Sequence, residues 1–523
     1  MSNDPLEQES PVPPDFSLAD KERLKIENPR LKKLYDYLSE VAKNSYSDPH
    51  LLSNAVFSKC DLPLPALNKY LAEQECEKFS FSSSFKKLVM YFSKSIAWYF
   101  IFLAQKVAHK VSRQKFSLIP DKSLTLIDIF LVPEQIVRNA ELTDRFFPGL
   151  EKELIAKGRS YAYAPKFSGE DNPLTYYKMF CLLKNKKRPV LTSFQLLEAS
   201  DYLKMLGFIL IYPMKVLRKI NKLKNSTEEN LLRLFLWSTL DHTTVKSYMR
   251  QLFGKRISDM NNPSVKCISW YENQPQDKNF YKGLRSKHSD MQIFGAQLYL
   301  WPATLLNLHA DGNESSFGLI PNRILVNGTY YLNKDSSLEF EVGPSMRYSR
   351  LFQIKVDPKN KTSLLVLMPF FEHEIDKILE MIEDANFSVE IFVKFHPATD
   401  KNKYAHRMKN KMEIIEDDIY SLFERVGCVI GKSTGALVEA TSMGIPVIDI
   451  DTGSGVSHNY LPEFGKGIIW EKASTGVEIA KWTQIFSSLI ITHPELIHSI
   501  AEKHKEMFFC EPTDEIIEKS FKL

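Results

Sequence analysis

Apolar and polar residues alternate along this chain in blocks that change period, and the last third is the most regular. Ser363 to Met368 (SLLVLM) is a short, continuous apolar run, which predicts a buried strand. Glu372 to Ala385 has helical spacing, and Ser388 to Phe395 (SVEIFVKF) reads as a strand. A short strand over Glu413 to Ile415, a helix over Ile419 to Arg425 and a strand over Gly427 to Gly431 (GCVIG) follow. A helix over Thr434 to Met443 and a strand over Pro446 to Ile450 complete the series. Successive strand–helix units of this kind predict a doubly wound parallel sheet.

The middle of the chain repeats the theme less cleanly. Strands are expected at Leu124 to Leu131, Ser160 to Ala164, Val265 to Trp270, Met291 to Phe294 and Arg323 to Val326, with a helix over Glu134 to Lys157. A mostly helical insert occupies about 180 to 255. Near the N-terminus, residues 1 to about 17 read as a disordered lead, and Leu18 to Val41 as a helix with Ser17 as its cap. Phe85 to Lys115 is aromatic-rich and flanked by cations, but Lys94 and Gln105 interrupt the roughly 20 apolar residues a bilayer crossing needs. That segment and Leu206 to Lys224 fit either basic amphipathic helices lying in a membrane interface or buried packing helices.

These patterns predict an α/β chain of two Rossmann-like domains facing a cleft, with an added helical N-terminal segment and a helical insert. The expected division is 1–120 for the lead and helical segment, and 121–345 for the first Rossmann-like domain. The second follows at 346–490, its core between about Ser349 and Ser488, and 491–523 forms C-terminal helices. Composition adds limits. With 68 Lys and Arg against 64 Asp and Glu, the net charge of +4 supplies no global field for nucleic acid. The six cysteines are dispersed, without a CxxC pair, which suits a reducing compartment and no zinc site. The N-terminal MSNDPLEQESPVPPDF lacks the apolar core of a secretory signal. A cytoplasmic location, peripheral on the inner membrane if the amphipathic segments bind lipid, is the expectation.

In open α/β sheets the ligand lies beyond the carboxyl ends of the strands. Three predicted strand ends carry suitable residues: His396 and Pro397; Lys432, Ser433, Thr434 and Gly435; and Asp451, Thr452 and Gly453. Ser433 or Thr434 is expected to cap a helix whose first turn Gly435 leaves open to a phosphate. Glu439, four residues on, lies on the same helical face, where its carboxylate suits ribose hydroxyls. An ordinary capped helix fits those residues as well. Asp449 and Asp451 form a DxD pair of the kind that bridges a divalent ion to a diphosphate in some transferases. A metal-independent mechanism, with His396, Lys394 and helix amides in place of the cation, is expected instead.

The segments KFHP (Lys394 to Pro397) and STGALVEATSMGIPV (Ser433 to Val447) resemble the His-Pro and Ser/Thr motifs of bacterial GT-B transferases that use CMP-activated sugars, such as sialyltransferases and Kdo transferases. The blocks SWYENQPQDKNFYKGLR, IFGAQ and IPNRILVNG resemble bacterial surface-carbohydrate biosynthesis proteins. The resemblance spans about Leu124 to Lys481 and implies the GT-B fold, with 121–345 as the acceptor domain and 346–490 as the nucleotide-sugar domain. It implies that His396, Ser433 and Thr434 hold the departing phosphate and that Glu439 meets the ribose or base. It also points to Glu272, which follows the strand VKCISW, as the base that takes the acceptor's proton. A solvated helix-capping Glu272 is the alternative, and Asp241 and Asp277 are lesser candidates.

Gln274 and Gln297 are expected to contact the acceptor. No cofactor beyond a nucleotide-sugar donor, CMP-linked by the resemblance, is implied; the partners expected are that donor and a lipid-linked or oligosaccharide acceptor of lipopolysaccharide or capsule. A CDP-glycerol glycerophosphotransferase-like polymerase, a UDP-sugar epimerase and an inactive GT-B scaffold remain open as alternatives.

Overall fold

The computed structural model describes residues 14–74, 82–117, 123–224, 226–260, 265–333, 337–359, 361–370, 372–397, 399–408, 411–453 and 458–523. Most of the expected disordered lead, and Cys76, lie outside those residues. Twelve strands form two six-stranded sheets. The first contains β1 (Leu124–Asp128), β2 (Ser160–Tyr163), β3 (Val265–Trp270), β4 (Ile293–Gln297), β5 (Arg323–Val326) and β6 (Phe340–Val342). The second contains β7 (Leu364–Leu367), β8 (Ile391–Lys394), β9 (Met412–Ile414), β10 (Cys428–Gly431), β11 (Val447–Ile450) and β12 (Trp470–Ala473). The spatial orders are β2-β1-β3-β4-β5-β6 and β9-β8-β7-β10-β11-β12.

Every neighbouring pair in both sheets is parallel. The second order is that of the dinucleotide-binding doubly wound fold. Its inner strands LLVL, CVIG and VIDI are buried along their whole length, as strands covered on both faces must be. The chain is therefore an α/β protein with two Rossmann-like domains, arranged as in the GT-B class.

Several elements differ from their sequence expectation for local reasons. The helix expected over 18–41 is two helices, Phe16–Ala19 and Pro29–Lys43. Asp15 rather than Ser17 caps the first, and the Asn28 side chain accepts from the Arg30 and Leu31 N–H groups at the start of the second. The helix expected over 134–157 breaks into Pro133–Asn139 and Leu150–Ala156, because Ala140 turns left-handed at φ 52°. Strand β4 begins two residues later than expected and ends on Gln297. The edge strands β6 and β12 carry no clear period in the sequence.

Four of the helices bear on function: α1 (Ser82–Ser112), α2 (Ala199–Asn221), α3 (Pro275–Leu284) and α4 (Ala436–Thr441). The N-terminal helices and the insert share one apolar core with one face of the first sheet, so 1–120 is not a separate body where it is described. The C-terminal helices return to the first domain. Asn327 Nδ2 donates to the Phe508 carbonyl at 2.9 Å, and Phe521 is buried in the first-domain core.

Helix α3 is held in place by an unusually close approach to the helix Thr243–Ser258. A Cβ on Gly283 would lie 2.2 Å from the Gln251 carbonyl oxygen, and one on Gly254 would lie 2.5 Å from that of Phe280. The two backbones touch where no side chain fits. Gly283→Ala is expected to destabilise the chain by about 2 kcal/mol, as overpacking does, measured as a lower urea midpoint with an unchanged slope. An unchanged midpoint would show that the helices part at no cost.

Candidate active site

Each sheet has a topological switch point, where neighbouring strands leave in opposite directions and the connections open a crevice. In the first sheet it lies between β1 and β3, and in the second between β7 and β10. Glu272 follows β3, and Lys432 to Thr434 follow β10, so both resemblance-bearing segments sit at these crevices. The two carboxyl edges face each other. Leu300, beyond β4, packs against the backbone of Gly435, where an added Cβ would meet the leucine Cβ at 3.0 Å. Thr304 Oγ1 and His458 Nδ1 are hydrogen-bonded at 2.6 Å across the same divide.

On the first-domain side, a buried ionic network fixes the turn that carries Glu272. Lys166 Nζ donates to Asp277 Oδ1 at 2.5 Å and to the Trp270 carbonyl at 3.0 Å, and lies 3.5 Å from Asp128. Arg250 pairs with the other Asp128 oxygen at 2.8 Å. Asp277 Oδ2 then accepts from the backbone N–H groups of both Glu272 and Gln274, each at 3.1 Å. Asn273 completes the turn in the left-handed region at φ 52°, its side chain donating to the Asn307 carbonyl and to Glu314.

Glu272 itself is half-buried. Its two carboxylate oxygens accept from Trp270 Nε1 at 2.9 Å and Gln274 Nε2 at 2.7 Å. Desolvation raises its pKa above the ordinary carboxylate value, opposed by the pull of Lys166. A carboxylate so placed is a stronger base than a solvated one. The role of helix cap, the alternative reading of Glu272, belongs to Gln274 and Asp277, which form the capping box of α3. Asp277 is ion-paired and buried, and Asp241 is occupied by the Thr243 N–H and the His242 ring, so neither competes as a base. Gln297 is fully buried with its amide on the Leu308 carbonyl; the expectation that it touches an acceptor is corrected by that burial. A cavity of about 380 Å³ borders the Glu272 turn at Gln274, and another of about 240 Å³ lies at Arg145, Phe146 and Ser168.

On the second-domain side, Ser433 adopts φ 53°, a strained value for serine, and its N–H is directed to the Asp449 carboxylate. Thr434 Oγ1 accepts from the Ala436 N–H at 3.3 Å, while Gly435 occupies the N-cap position of the six-residue α4. Neither Ser433 nor Thr434 is the cap residue, and the room that Gly435 leaves is taken by Leu300 instead of opening to a phosphate. Glu439 accepts from Tyr420 Oη at 2.7 Å, and burial lifts its pKa to about 7 against the opposing Tyr420 hydrogen bond and the charge of Arg347.

His396 follows β8, open to solvent, with its ring edge-on to Phe370 at 5.2 Å beyond the neighbouring β7. Partial desolvation draws its pKa below the ordinary imidazole value. Lys394 points elsewhere: its ammonium donates to the Asp417 carbonyl at 2.6 Å, which corrects its expected place on a phosphate. The DxD pair is divided, because β11 ends at Ile450. Asp449 is buried, while Asp451 is exposed and accepts from the Gly453 N–H.

Two residues, Arg347 and His458, escaped the sequence, and Lys432, expected at its strand end, has partners that no spacing shows. Arg347, on the connection between the sheets, is exposed and within electrostatic reach of both Glu272 and Glu439. It lies on the seven-residue 3-10 segment Met346–Phe352, kinked at Tyr348, with no strand end to flag it. Lys432 is buried in a pair with Glu374 at 3.4 Å and donates to Thr452 Oγ1 at 3.0 Å. His458 joins this group through the charges of Glu374 and Lys432, and no spacing links the four residues.

No protein-family model matches the chain, and no curated protein matches it. Among solved structures it is similar to a glycosyltransferase from Rickettsia africae, at 12% identity over 77% of this chain and 94% of that one, with a TM-score of 0.39. It is similar to MurG of Acinetobacter baumannii at 11% identity over 77% and 100%, with a TM-score of 0.39. It is also similar to a UDP-GlcNAc 2-epimerase from Neisseria meningitidis at 10% identity over 76% and 99%, with a TM-score of 0.41. Likeness this distant says nothing about activity.

Burial raises the pKa of Asp449 to about 7, with Lys472 and Lys432 opposing. A raised folded-state value means that stability is fullest below the unfolded carboxylate pKa and is lost as pH rises toward 7. Asp449→Asn should remove that loss, stabilising the chain at pH 8 relative to pH 4 by on the order of 4 kcal/mol more than wild type. Urea unfolding at the two pH values measures it, and parallel profiles for the two proteins would refute it.

Proposed function

We propose that this chain is an inverting glycosyltransferase that moves a sugar from a nucleotide donor to a hydroxyl of a glycan acceptor. One observation carries the reading. A desolvated carboxylate, Glu272, follows the strand at one switch point and a hydroxyl-bearing turn, Ser433 and Thr434, follows the strand at the other, with the guanidinium of Arg347 within electrostatic reach of Glu272 and Glu439.

In the reaction, the acceptor hydroxyl gives its proton to Glu272 while its oxygen attacks the anomeric carbon. The bond from that carbon to the donor phosphate breaks on the opposite face, and the electron pair leaves with the nucleotide. His396, Ser433, Thr434 and Arg347 take up the phosphate charge. Glu439, already hydrogen-bonded by Tyr420, is placed to accept from the ribose. Gln274 orients Glu272 through its 2.7 Å hydrogen bond and borders the cavity that an acceptor sugar would enter.

A CMP-linked donor carrying a sialic or Kdo-like sugar is favoured by the resemblance of the KFHP and STGALVEATSMGIPV segments. The electrostatics are consistent with one phosphate in place of two. Lys394 is bonded to the Asp417 carbonyl and Lys432 to Glu374, and Arg347 is a cation presented to the cleft from the connection between the domains. The acceptor would be a growing surface polysaccharide, lipopolysaccharide or capsule.

Glu272→Gln should lower kcat by about a hundredfold or more and flatten the acidic limb of the pH–rate profile. His396→Ala and Ser433→Ala should each lower transfer by about a hundredfold, with unchanged thermal melts. Arg347→Ala should act chiefly on the KM of the donor. Calorimetric titration with CMP-, CDP- and UDP-compounds identifies the nucleotide: binding of UDP-sugar without CMP overturns the donor, and full turnover by the Glu272 and His396 variants overturns the transferase.

A further inference from the structure

The chain has an apolar surface that the proposed chemistry does not use. Of the twenty-three large hydrophobic side chains exposed among the described residues, thirteen lie on α1 and α2. On α1, Phe85, Val89, Phe100 and Val107 recur at helical spacing along one outward face, and Phe100 is 63% exposed. On α2, Leu203 (68% exposed) and Leu210 do the same. The two helices are packed together. The rings of Phe102 and Tyr202 lie 5.7 Å apart, those of Tyr91 and Tyr212 lie 5.6 Å apart, and Tyr99 Oη donates to the Tyr202 carbonyl. Soluble surfaces rarely leave so much contiguous apolar area in water.

The charges on the same two helices are equally uneven. Together they carry nine Lys and Arg and a single carboxylate, Asp201, in a chain whose net charge is only +4. Asp201 is buried and shared between Arg256 at 2.6 Å and Lys204 at 3.3 Å, so it offsets at most one of the nine basic residues. Lys86, Lys94 and Lys110 on α1 and Lys204 and Arg218 on α2 are exposed beside the apolar face.

We propose that the outward faces of α1 and α2 form a docking surface for an anionic lipid bilayer, on which the protein lies without crossing. Apolar side chains rimmed by lysine and arginine match the acyl boundary and the negative headgroups of such a surface. A second copy of the chain is a poorer occupant, because it would set basic residues against basic residues. By length and composition α1 is apolar enough to cross a membrane. Its inner face is committed to the protein instead. Gln105 Nε2 donates to the Asp171 carbonyl at 3.0 Å, Lys106 Nζ to that of Leu197 at 3.0 Å, and His109 bonds Gln114 at 2.9 Å. A crossing helix would have to forfeit those bonds.

The surface also lies on the acceptor side of the molecule. The 380 Å³ cavity extends from Gln274 to Ser238 and Thr239, and the Ser238 carbonyl accepts from Lys87 of α1 at 2.8 Å. An acceptor anchored in the bilayer would enter from that end. This last point alone rests on the transferase reading; lipid binding stands without it.

Flotation of the full chain with phosphatidylcholine vesicles, and with vesicles also containing phosphatidylglycerol, tests the proposal. The chain should float with the anionic vesicles, less with the neutral ones, and less at high salt. The double variant Phe100→Glu/Leu210→Glu should bind about tenfold more weakly or worse, with an unchanged circular-dichroism melt. Lys94→Ala and Lys110→Ala should each weaken binding about fivefold. Flotation of the double variant equal to wild type overturns the proposal. So does a wild-type chain that binds neither vesicle, or one that sediments as a dimer which the double variant dissolves. Donor hydrolysis without vesicles should be the same in wild type and double variant, so that a lost transferase activity is distinguishable from a lost membrane contact.

Discussion

The geometry of this protein depends first on a buried set of charges beneath the carboxyl edge of the first sheet. Lys166 reaches Asp277 and Asp128 in an environment without solvent, and Arg250 closes the other side of Asp128. Such an arrangement gains little stability over apolar packing, but removing one partner leaves an unpaired buried charge at a cost of about 3–5 kcal/mol. Its effect here is positional. Asp277 uses its second oxygen to hold the Glu272 and Gln274 backbones, so the nominated base inherits its position from an ion pair that it meets through its backbone N–H. The Gly254–Gly283 contact serves the same end by pressing α3 against its neighbour.

The second constraint is the separation of the two sheets. Their carboxyl edges approach closely enough that Gly435 has no room for a side chain beside Leu300, and Thr304 meets His458 directly. That closeness desolvates Glu439, and Glu272 is desolvated at its own sheet edge; both carboxylates have raised pKa values as a result. It also brings Arg347 into the field of both carboxylates from a connection that belongs to neither sheet. Desolvated carboxylates with a cation in reach are the features that the proposed group transfer from a nucleotide would ask of a protein.

The same reasoning separates the inner and outer faces of α1. A sequence window that is aromatic, basic and interrupted by Lys94 and Gln105 fits a packing helix and an interfacial helix equally. The fold covers one side of it with protein and leaves the other facing outward. Gln105 and His109 face the protein and are hydrogen-bonded there, while Phe100 and Val107 face outward. Helical spacing shows that two faces exist; the neighbouring helices decide which of them is covered.

What the sequence by itself determined was the local order. Strands such as Val265–Trp270 and Arg323–Val326 and the helix Glu372–Ala385 appear at their expected bounds, because a buried strand is a short apolar run and a half-buried helix repeats every three or four residues. The strand-end rule likewise placed Glu272, His396, Ser433 and Thr434 at the sheet edges, since a carboxyl end is a matter of chain direction. Tertiary structure alone decided which strand-end residues face the cleft. Lys394 turned to a backbone carbonyl, Gln297 was buried, Gly435 made room for Leu300, and Arg347 arrived from an irregular segment. Side-chain direction and desolvation depend on neighbours that the fold brings together from other elements, and no period along one chain encodes them.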